Sequence, residues 1–320
     1  MIEQVVKQVV AGDIRAIARA ISWIENGLSD KEALIDGLFK HTGKAKIIGI
    51  TGPPGSGKSS LLDRIIDLER KKGKRIAVLA IDPSSPFSGG AILGDRVRMQ
   101  KHATDPHVFI RSMASRGHLG GVAGATADAL KVLDAAGFDL IIIETIGVGQ
   151  TEIEVMNIVD LVLLVLVPGL GDEIQALKAG VMEIGDIFVI NKCDKDEAKR
   201  VKAEVEYVLH LKSEGKEEQM NPIFLTSATQ NIGLQELVEG IESELQRMEE
   251  SSLLKERRLR RLALELKRIL SSKIEAHVHQ FLNTENNLEL WLKQLAQRKV
   301  APYQLINKKV HQVLKEFKKQ

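Results

Sequence analysis

A glycine-rich segment near residue 55 has the residue types and spacing needed to bind the phosphates of a nucleotide. Its sequence, Gly52-Pro53-Pro54-Gly55-Ser56-Gly57-Lys58-Ser59, fits the pattern G-x-x-x-x-G-K-[ST]. In such a loop the backbone N–H groups converge on an anion, and the following helix points its positive end at the same place. Because Pro53 and Pro54 have no N–H group, we expect the donors to come from residues 55–59.

Three side chains at the end of this segment are candidates for contact with the nucleotide. Lys58 would place its charge on the β- and γ-phosphates, and the hydroxyl of Ser59 would bind Mg²⁺. Ser60 follows directly and is assigned to the same site. The apolar run 47–50 before the loop predicts a buried strand, and the spacing of the apolar residues at 61, 62, 65 and 66 after it predicts a helix.

Short apolar runs alternate with helical patterns over the middle of the chain and predict the fold class. Strands that read as continuous Ile, Leu and Val are typical of sheets covered by helices on both faces. We therefore predict an α/β fold with a doubly wound, mostly parallel sheet, and ligands beyond the carboxyl ends of its strands. The seven strand candidates are 46–50, 75–81, 107–111, 139–144, 161–167, 186–190 and 222–226.

A second motif indicates which nucleotide binds. Asn191-Lys192-Cys193-Asp194 follows a predicted strand and has the form N-K-x-D. The carboxylate of Asp194 could accept hydrogen bonds from both N1–H and the exocyclic amine of guanine, a pair that adenine lacks, so the motif favours GTP over ATP. Ser227-Ala228 follows the last predicted strand and is expected to join Asn191, Lys192 and Asp194 at the base. Cys193 is interpreted as a filler residue within the motif.

Three carboxylates are expected at the same edge of the sheet and predict a magnesium site. Asp82 and Glu144 each end a predicted strand, and Asp95 lies in Gly94-Asp95-Arg96. Carboxylate oxygens are ligands that Mg²⁺ prefers, so these residues are assigned to the metal and its water shell together with Ser59. Surface capping of helices is the alternative role.

The residues that would promote hydrolysis depart from the pattern of regulatory GTPases. Those proteins carry a glutamine just after D-x-x-G to orient the attacking water, whereas here the sequence is Glu144-Thr145-Ile146-Gly147-Val148. Gln150 is the nearby candidate, and with Lys58, Asp95 and Glu144 it makes up the predicted catalytic set. Arg96 and Arg98 are candidate charge stabilisers or surface ion-pair residues. We expect slow intrinsic hydrolysis that a partner or a dimer contact accelerates.

Composition narrows the class of protein. Of the 320 residues 44% are hydrophobic and 28% charged, and there is one cysteine, so we expect a cytoplasmic protein without disulfides. The N-terminus does not resemble a signal peptide, and the longest apolar run, 161–167, is too short to span a membrane. Residues 249–320 carry sixteen Lys and Arg against eight Asp and Glu, but few aromatics, which does not favour nucleic-acid binding.

The patterns divide the chain into three predicted domains. Residues 1–43 form an N-terminal helical extension, in which one apolar stripe along 5–26 predicts a single helix. Residues 44–248 form the nucleotide-binding domain. Residues 249–320 form a C-terminal helical arm, with a stripe at Leu259, Leu262, Leu266 and Ile269 and a break at Val300-Ala301-Pro302-Tyr303. Glycine-rich loops at 88–90, 117–121 and 168–172 are predicted switches or plain connectors.

Long stretches of the sequence resemble the MeaB/ArgK GTPases of the SIMIBI class. The resemblance rests on Asp82-Pro83-Ser84-Ser85-Pro86-Phe87-Ser88-Gly89-Gly90-Ala91-Ile92-Leu93-Gly94-Asp95-Arg96 and Glu144-Thr145-Ile146-Gly147-Val148-Gly149-Gln150. It extends from the N-terminal segment 11–26 through 112–121 to the C-terminal arm. It implies the phosphate, metal and base roles assigned above, and an additional switch at 172–178, with Gln175 and Lys178, that faces a client enzyme.

The same resemblance implies a function and partners. Members of the family are GTPases that act as chaperones of an adenosylcobalamin-dependent acyl-CoA mutase, typically methylmalonyl-CoA mutase. They gate cofactor loading and protect the enzyme, adenosylcobalamin belongs to the client, and the helical extensions form a homodimer. The expected ligands of this chain are therefore GTP or GDP with Mg²⁺, and its expected partners are a mutase and a second copy, with no nucleic acid and no membrane.

Two other functions remain open at this stage. A metal-delivery GTPase would tend to carry clustered Cys and His ligands. The pair in His277-Val278-His279 is spaced i, i+2, which places the two side chains on different sides of a helix. A P-loop kinase of the transport-system type would need an acceptor pocket that the sequence does not reveal. Asp194 counts against an ATP-dependent kinase.

Overall fold

The computed structural model describes most of the chain. The described ranges, on which every structural statement rests, are 1–28, 30–82, 100–102, 104–114, 121–145, 150–169, 181–212, 220–283 and 287–317.

The chain begins with three helices, α1 (Ile2–Val10), α2 (Ile14–Glu25) and α3 (Lys31–Phe39). The single helix predicted over 5–26 is therefore wrong. The chain turns at Gly12, whose φ is +79°, and Asp13 caps α2 by accepting a hydrogen bond from the Ala16 N–H at 2.8 Å. A left-handed glycine followed by a capping aspartate ends one helix and starts the next.

The central sheet confirms the predicted fold class. Every pairing between the described strands is parallel, and the strand order is β3-β2-β4-β1-β5-β6-β7. Each strand lies within about one to three residues of its predicted bounds. The strands are β1 (Lys46–Thr51), β2 (Ile76–Asp82), β3 (Val108–Ala114), β4 (Leu140–Thr145), β5 (Leu161–Leu166), β6 (Ile187–Ile190) and β7 (Ile223–Leu225).

The strand that precedes the phosphate loop, β1, lies at the switch point of the sheet, where strands are added on opposite sides. β4, β2 and β3 extend from one side of β1, and β5, β6 and β7 extend from the other. Ligands of open parallel sheets bind at such a switch point, beyond the carboxyl ends of the strands. In this register Ile50 of β1 lies beside Glu144 of β4, so the carboxylate of Glu144 is placed next to the loop that begins at Gly52.

Helices cover both faces of the sheet and form three apolar clusters with it. The apolar face of Ile48 and Ile50 packs with α4 (Lys58–Lys71) and α8 (Leu234–Glu250). The opposite face, which includes Ile47, packs with α1, α2, α3 and α5 (Gly121–Ala135). The connections also contain α6 (Gln150–Met156), α7 (Ala198–Lys212) and 3₁₀ turns at Gln100–His102 and Val181–Glu183.

Ion pairs hold the first turns of α9 (Leu253–Asn283) at the amino edge of the sheet. Nη2 of Arg258 lies 2.6 Å from Oδ2 of Asp160, and the Arg257 guanidinium donates to both carboxylate oxygens of Asp186, at 2.7 and 2.6 Å. Asp160 is buried and also accepts the backbone N–H of Ile47. These contacts lie at the edge opposite the phosphate loop.

The chain separates into two compact units, Met1–Arg261 and Leu262–Gln320. The second contains the rest of α9, α10 (Asn287–Ala296) and α11 (Pro302–Phe317). Phe281, Trp291 and Leu305 form its small buried core, and α11 begins at Pro302, where the sequence predicted a break. Several apolar side chains of α9 and the later helices are exposed, among them Leu262, Leu266, Ile269, Leu270, Leu290, Leu292 and Ile306.

Among the described helices none is both long enough and apolar enough to cross a membrane.

Candidate nucleotide-binding site

The loop between β1 and α4 has three glycines with positive φ, and at two of them a Cβ would also collide with a neighbouring segment. Gly52 has φ +147°, and a Cβ there would lie 2.2 Å from the carbonyl oxygen of Val165. Gly57 has φ +85°, and a Cβ there would lie 2.4 Å from Nδ2 of Asn191. Gly52 and Gly57 are therefore required both by backbone conformation and by the close approach of β5 and of the segment after β6.

The charged and polar groups of this loop are gathered in its interior. Lys58 is buried, and its Nζ donates to the carbonyl oxygens of Gly52 at 2.7 Å and Pro53 at 3.0 Å. The backbone N–H of Ser56 donates to the carbonyl oxygen of Pro53 at 3.2 Å. Oγ of Ser56 is buried and makes no hydrogen bond in the part of the chain that the structure describes. A loop with an enclosed ammonium group and a spare hydroxyl donor fits an anionic ligand.

A hydroxyl and a carboxylate meet at the start of α4. Oγ of Ser59 donates to Oε1 of Glu144 at 2.7 Å, and both residues are buried. Beside them, Oγ1 of Thr145 donates to Oγ1 of Thr51 at 3.0 Å, which links the ends of β4 and β1. The structure thus brings together two of the four residues that the sequence assigns to Mg²⁺, and both supply the hard oxygen atoms that this ion prefers.

The other predicted metal and catalytic residues are placed only in part. Asp82 is the last residue of β2, the strand next to β4, and Gln150 is the first residue of α6. Asp95, Arg96 and Arg98 lie outside the described residues. The same holds for the predicted switch residues 88–90, 117–120 and 170–172, and for Gln175 and Lys178.

The N-K-x-D segment contacts the phosphate loop directly. Nδ2 of Asn191 donates to the carbonyl oxygen of Ser56 at 2.8 Å, and Nζ of Lys192 donates to that of Gly55 at 2.7 Å. Oδ1 of Asn191 accepts hydrogen bonds from the Ala228 N–H and from Oγ1 of Thr226, both at 3.3 Å. The buried side chain of Asn191 therefore joins the phosphate loop to the segment that follows β7.

Asp194 and Ser227 stand together beside these contacts. Asp194 is exposed, and a hydrogen bond from the Ser227 side chain holds the pKa of its carboxyl below the ordinary range. The carboxylate is therefore charged at neutral pH and can only accept hydrogen bonds, as recognition of guanine N1–H and the exocyclic amine requires. Burial raises the pKa of the neighbouring Cys193 thiol, which stays protonated at neutral pH.

Two residues that contact this site lie outside both sequence motifs. Thr226 is fully buried and hydrogen bonds to Asn191. Arg64 lies on α4 beyond the phosphate motif, and its Nε donates to the carbonyl oxygen of Ala228 at 3.2 Å. Sequence reasoning missed both because their partners, Asn191 and Ala228, lie far away in the sequence. No group of three or more His, Cys, Asp or Glu side chains among the described residues could hold a metal ion.

The fold, the phosphate loop after β1 and the N-K-x-D segment after β6 define a P-loop GTPase. The family model described as methylmalonyl-CoA mutase-associated GTPase MeaB matches residues 17–283, and the chain belongs to this family.

Individual relatives agree with this assignment. A Pyrococcus abyssi protein with a provisional GTPase name is 48% identical over 305 residues, which cover 95% of this chain and 94% of the relative. GTPase ArgK of Escherichia coli is 35% identical and covers 74% of this chain and 73% of its own. A Caenorhabditis briggsae protein named methylmalonic aciduria type A homolog, mitochondrial, is 37% identical over 66% of this chain and 55% of its own length.

A solved structure shows the same fold. The crystal structure of an LAO/AO transport system kinase superposes with a TM-score of 0.71 at 24% identity, and the match covers 100% of this chain and 98% of that one.

Proposed function

We propose that this GTPase binds an adenosylcobalamin-dependent acyl-CoA mutase, with methylmalonyl-CoA mutase as the first candidate, and uses GTP hydrolysis to gate cofactor loading and protect the enzyme. The family description supports the partner class. The observation that carries the GTP-dependent part is the contact of Asn191 with both the phosphate loop and Ala228. Because the base site and the phosphate loop are joined by this side chain, one bound nucleotide can fix the position of both segments.

The proposed nucleotide site assigns separate roles to the two motifs. Gly52 to Ser60 bind the phosphates, with the Lys58 ammonium on the β- and γ-phosphates. Asp194 accepts from guanine, while Asn191, Lys192, Ser227 and Ala228 shape the pocket around the base. The hydrogen bond from the Ser227 side chain lowers the pKa of the Asp194 carboxyl, so this group is a carboxylate at neutral pH and both of its oxygens can accept hydrogen bonds.

We place Mg²⁺ at the junction of α4 and β4. Ser59 and Glu144, which contact each other at 2.7 Å, would hold the ion or its water shell, and Asp82 and Asp95 are assigned to the same shell from the sequence. The ion would neutralise charge that develops on the transferred phosphoryl group. Gln150 remains the candidate for orienting water, and slow intrinsic hydrolysis that the partner accelerates remains part of the proposal.

We expect Glu144→Gln to raise the Mg²⁺ concentration for half-maximal GTP turnover by about tenfold, because an amide keeps the size of the side chain and removes its charge. The measurement is a magnesium titration of the steady-state GTPase rate. Glu154→Gln, at an exposed carboxylate on α6, is the matched control and should leave the titration unchanged. An unchanged titration in Glu144→Gln would remove this residue from the metal site.

The C-terminal helices are the proposed homodimer surface. Several apolar side chains of α9 are exposed, including Leu266 and Leu270 at 69% and 61% exposure. A helix face in contact with water usually carries polar residues instead. Burial of such side chains against a second copy would stabilise association.

The mutase partnership is tested with the purified chain and adenosylcobalamin-loaded methylmalonyl-CoA mutase. We expect the GTPase rate to rise by about tenfold or more, toward the about 10³–10⁵-fold that a partner-supplied arginine can add, and the two proteins to co-elute on a sizing column. An acyl-CoA enzyme that does not use cobalamin serves as the control. No acceleration and no complex with methylmalonyl-, isobutyryl- or ethylmalonyl-CoA mutase would contradict the proposed partner class.

A further inference from the structure

Arg64 lies outside both nucleotide-binding motifs but connects them. It stands on α4, six residues after Lys58, and its Nε donates to the carbonyl oxygen of Ala228 at 3.2 Å. Ala228 is buried in the segment that follows β7. The helix that begins at the phosphate loop therefore reaches back to the proposed base site through one cationic side chain.

This contact closes a ring of interactions through the nucleotide site. The Ala228 N–H donates to Oδ1 of Asn191 at 3.3 Å, and Nδ2 of Asn191 donates to the Ser56 carbonyl oxygen at 2.8 Å. From Ser56 the chain continues through Gly57 into α4 and returns to Arg64. Ala228 is thus held on both sides, its N–H by Asn191 and its carbonyl by Arg64.

A neighbouring carboxylate orients the Arg64 guanidinium. Nη1 of Arg64 lies 3.7 Å from Oδ2 of Asp67, one turn further along α4, and the Arg64 side chain is 35% exposed. Asp67 also accepts a hydrogen bond from Nζ of Lys101 at 2.7 Å. A guanidinium can face a carboxylate and donate to a carbonyl at the same time because its donors point in several fixed directions, which an ammonium group reproduces only in part.

We propose that Arg64 is a positioning residue that fixes Ala228 and Ser227 relative to the phosphate loop and thereby sets the affinity and selectivity for guanine nucleotides. The inference rests on the proposed base site. Without Arg64 the Ala228 carbonyl loses its donor, and the Ser227 side chain is held less closely beside Asp194, while the Ser227 backbone stays paired with Ile232. The groups assigned to phosphate and metal, Lys58, Ser59 and Glu144, do not depend on this contact.

The test is Arg64→Ala, with GTP, GDP and ATP affinities measured by competition against a fluorescent guanine nucleotide and with kcat measured at saturating GTP. We expect GTP and GDP affinity to fall by about fivefold, because the base loop is no longer held in position before the nucleotide binds, while ATP affinity changes less. The selectivity for GTP over ATP should fall accordingly, and kcat should stay within about twofold. Arg64→Lys, which keeps a cationic donor, should recover part of the affinity.

Arg70→Ala is the matched control, because Arg70 stands on the same helix and pairs with Asp105 at 2.8 Å, away from the base loop. It should lower the melting temperature without changing the ratio of GTP to ATP affinity. Equal losses of GTP and ATP affinity in Arg64→Ala would show a merely structural role and overturn the proposal. Unchanged affinities overturn it too. In either case Asp194→Asn shows whether the base site stands: altered selectivity retains that site, and unchanged selectivity removes it as well.

Discussion

Lys58→Ala should abolish GTP turnover, with a fall in kcat of at least about 10²–10³-fold, the cost of removing one preorganised charge-stabilising donor. Nζ of Lys58 is enclosed by the phosphate loop and held by the carbonyl oxygens of Gly52 and Pro53. A phosphate oxygen that replaces these neutral acceptors would form a stronger, charge-assisted contact. The alanine variant has no group to form it, so nucleotide binding should weaken together with turnover.

The measurement is single-turnover GTP hydrolysis together with the thermal shift on adding GDP. A ligand that binds only the folded state raises its stability in proportion to the logarithm of its concentration over Kd, so the variant should show a smaller shift. Lys71→Ala removes an exposed lysine at the other end of α4 and should match the unmodified protein in both readouts. A Lys58→Ala protein that turns over GTP at the normal rate would mean that the phosphate site is elsewhere.

Asp194→Asn should move the preference of the site from GTP toward xanthosine triphosphate. The charged carboxylate accepts from N1–H and the exocyclic amine of guanine, whereas an asparagine amide can donate to the oxygen that xanthine carries in place of that amine. Sites built on such pairs discriminate strongly because the wrong base, once bound, covers polar groups and leaves them unpaired. We expect the ratio of the two affinities to change by about 10²-fold or more.

Competition binding with both triphosphates measures this ratio. Asp196→Asn changes an exposed aspartate two residues further along the same loop and should leave it unaltered. The Asp194 variant should also keep normal folding, since its side chain is exposed and no apolar contact is removed. Unchanged GTP selectivity in Asp194→Asn would refute the assignment of Asp194 to the base.

The candidate site could be located from the sequence because its main groups are adjacent along the chain. Gly52 to Ser59 form a single loop, and Asn191 to Asp194 form another, so neither motif needs distant residues to be recognised. The strands were also predictable. β4 and β5 are nearly continuous apolar runs, and such runs are typical of strands that helices cover on both faces of the sheet. The break between α1 and α2 had a local signal as well, Gly12 followed by Asp13, which the periodic stripe concealed.

The sequence by itself therefore determined the class of fold, the place of the phosphate-loop motif between β1 and α4, and the GTPase class of the protein. Only the tertiary structure decided which strand ends are neighbours, because a crossover helix can return the chain to either side of β1 and its length does not specify which. The order β4-β1-β5-β6-β7 places Glu144 against Ser59 and Asn191 against Ser56. It also brings Arg64 to Ala228, a contact between residues 164 positions apart that no local pattern could predict.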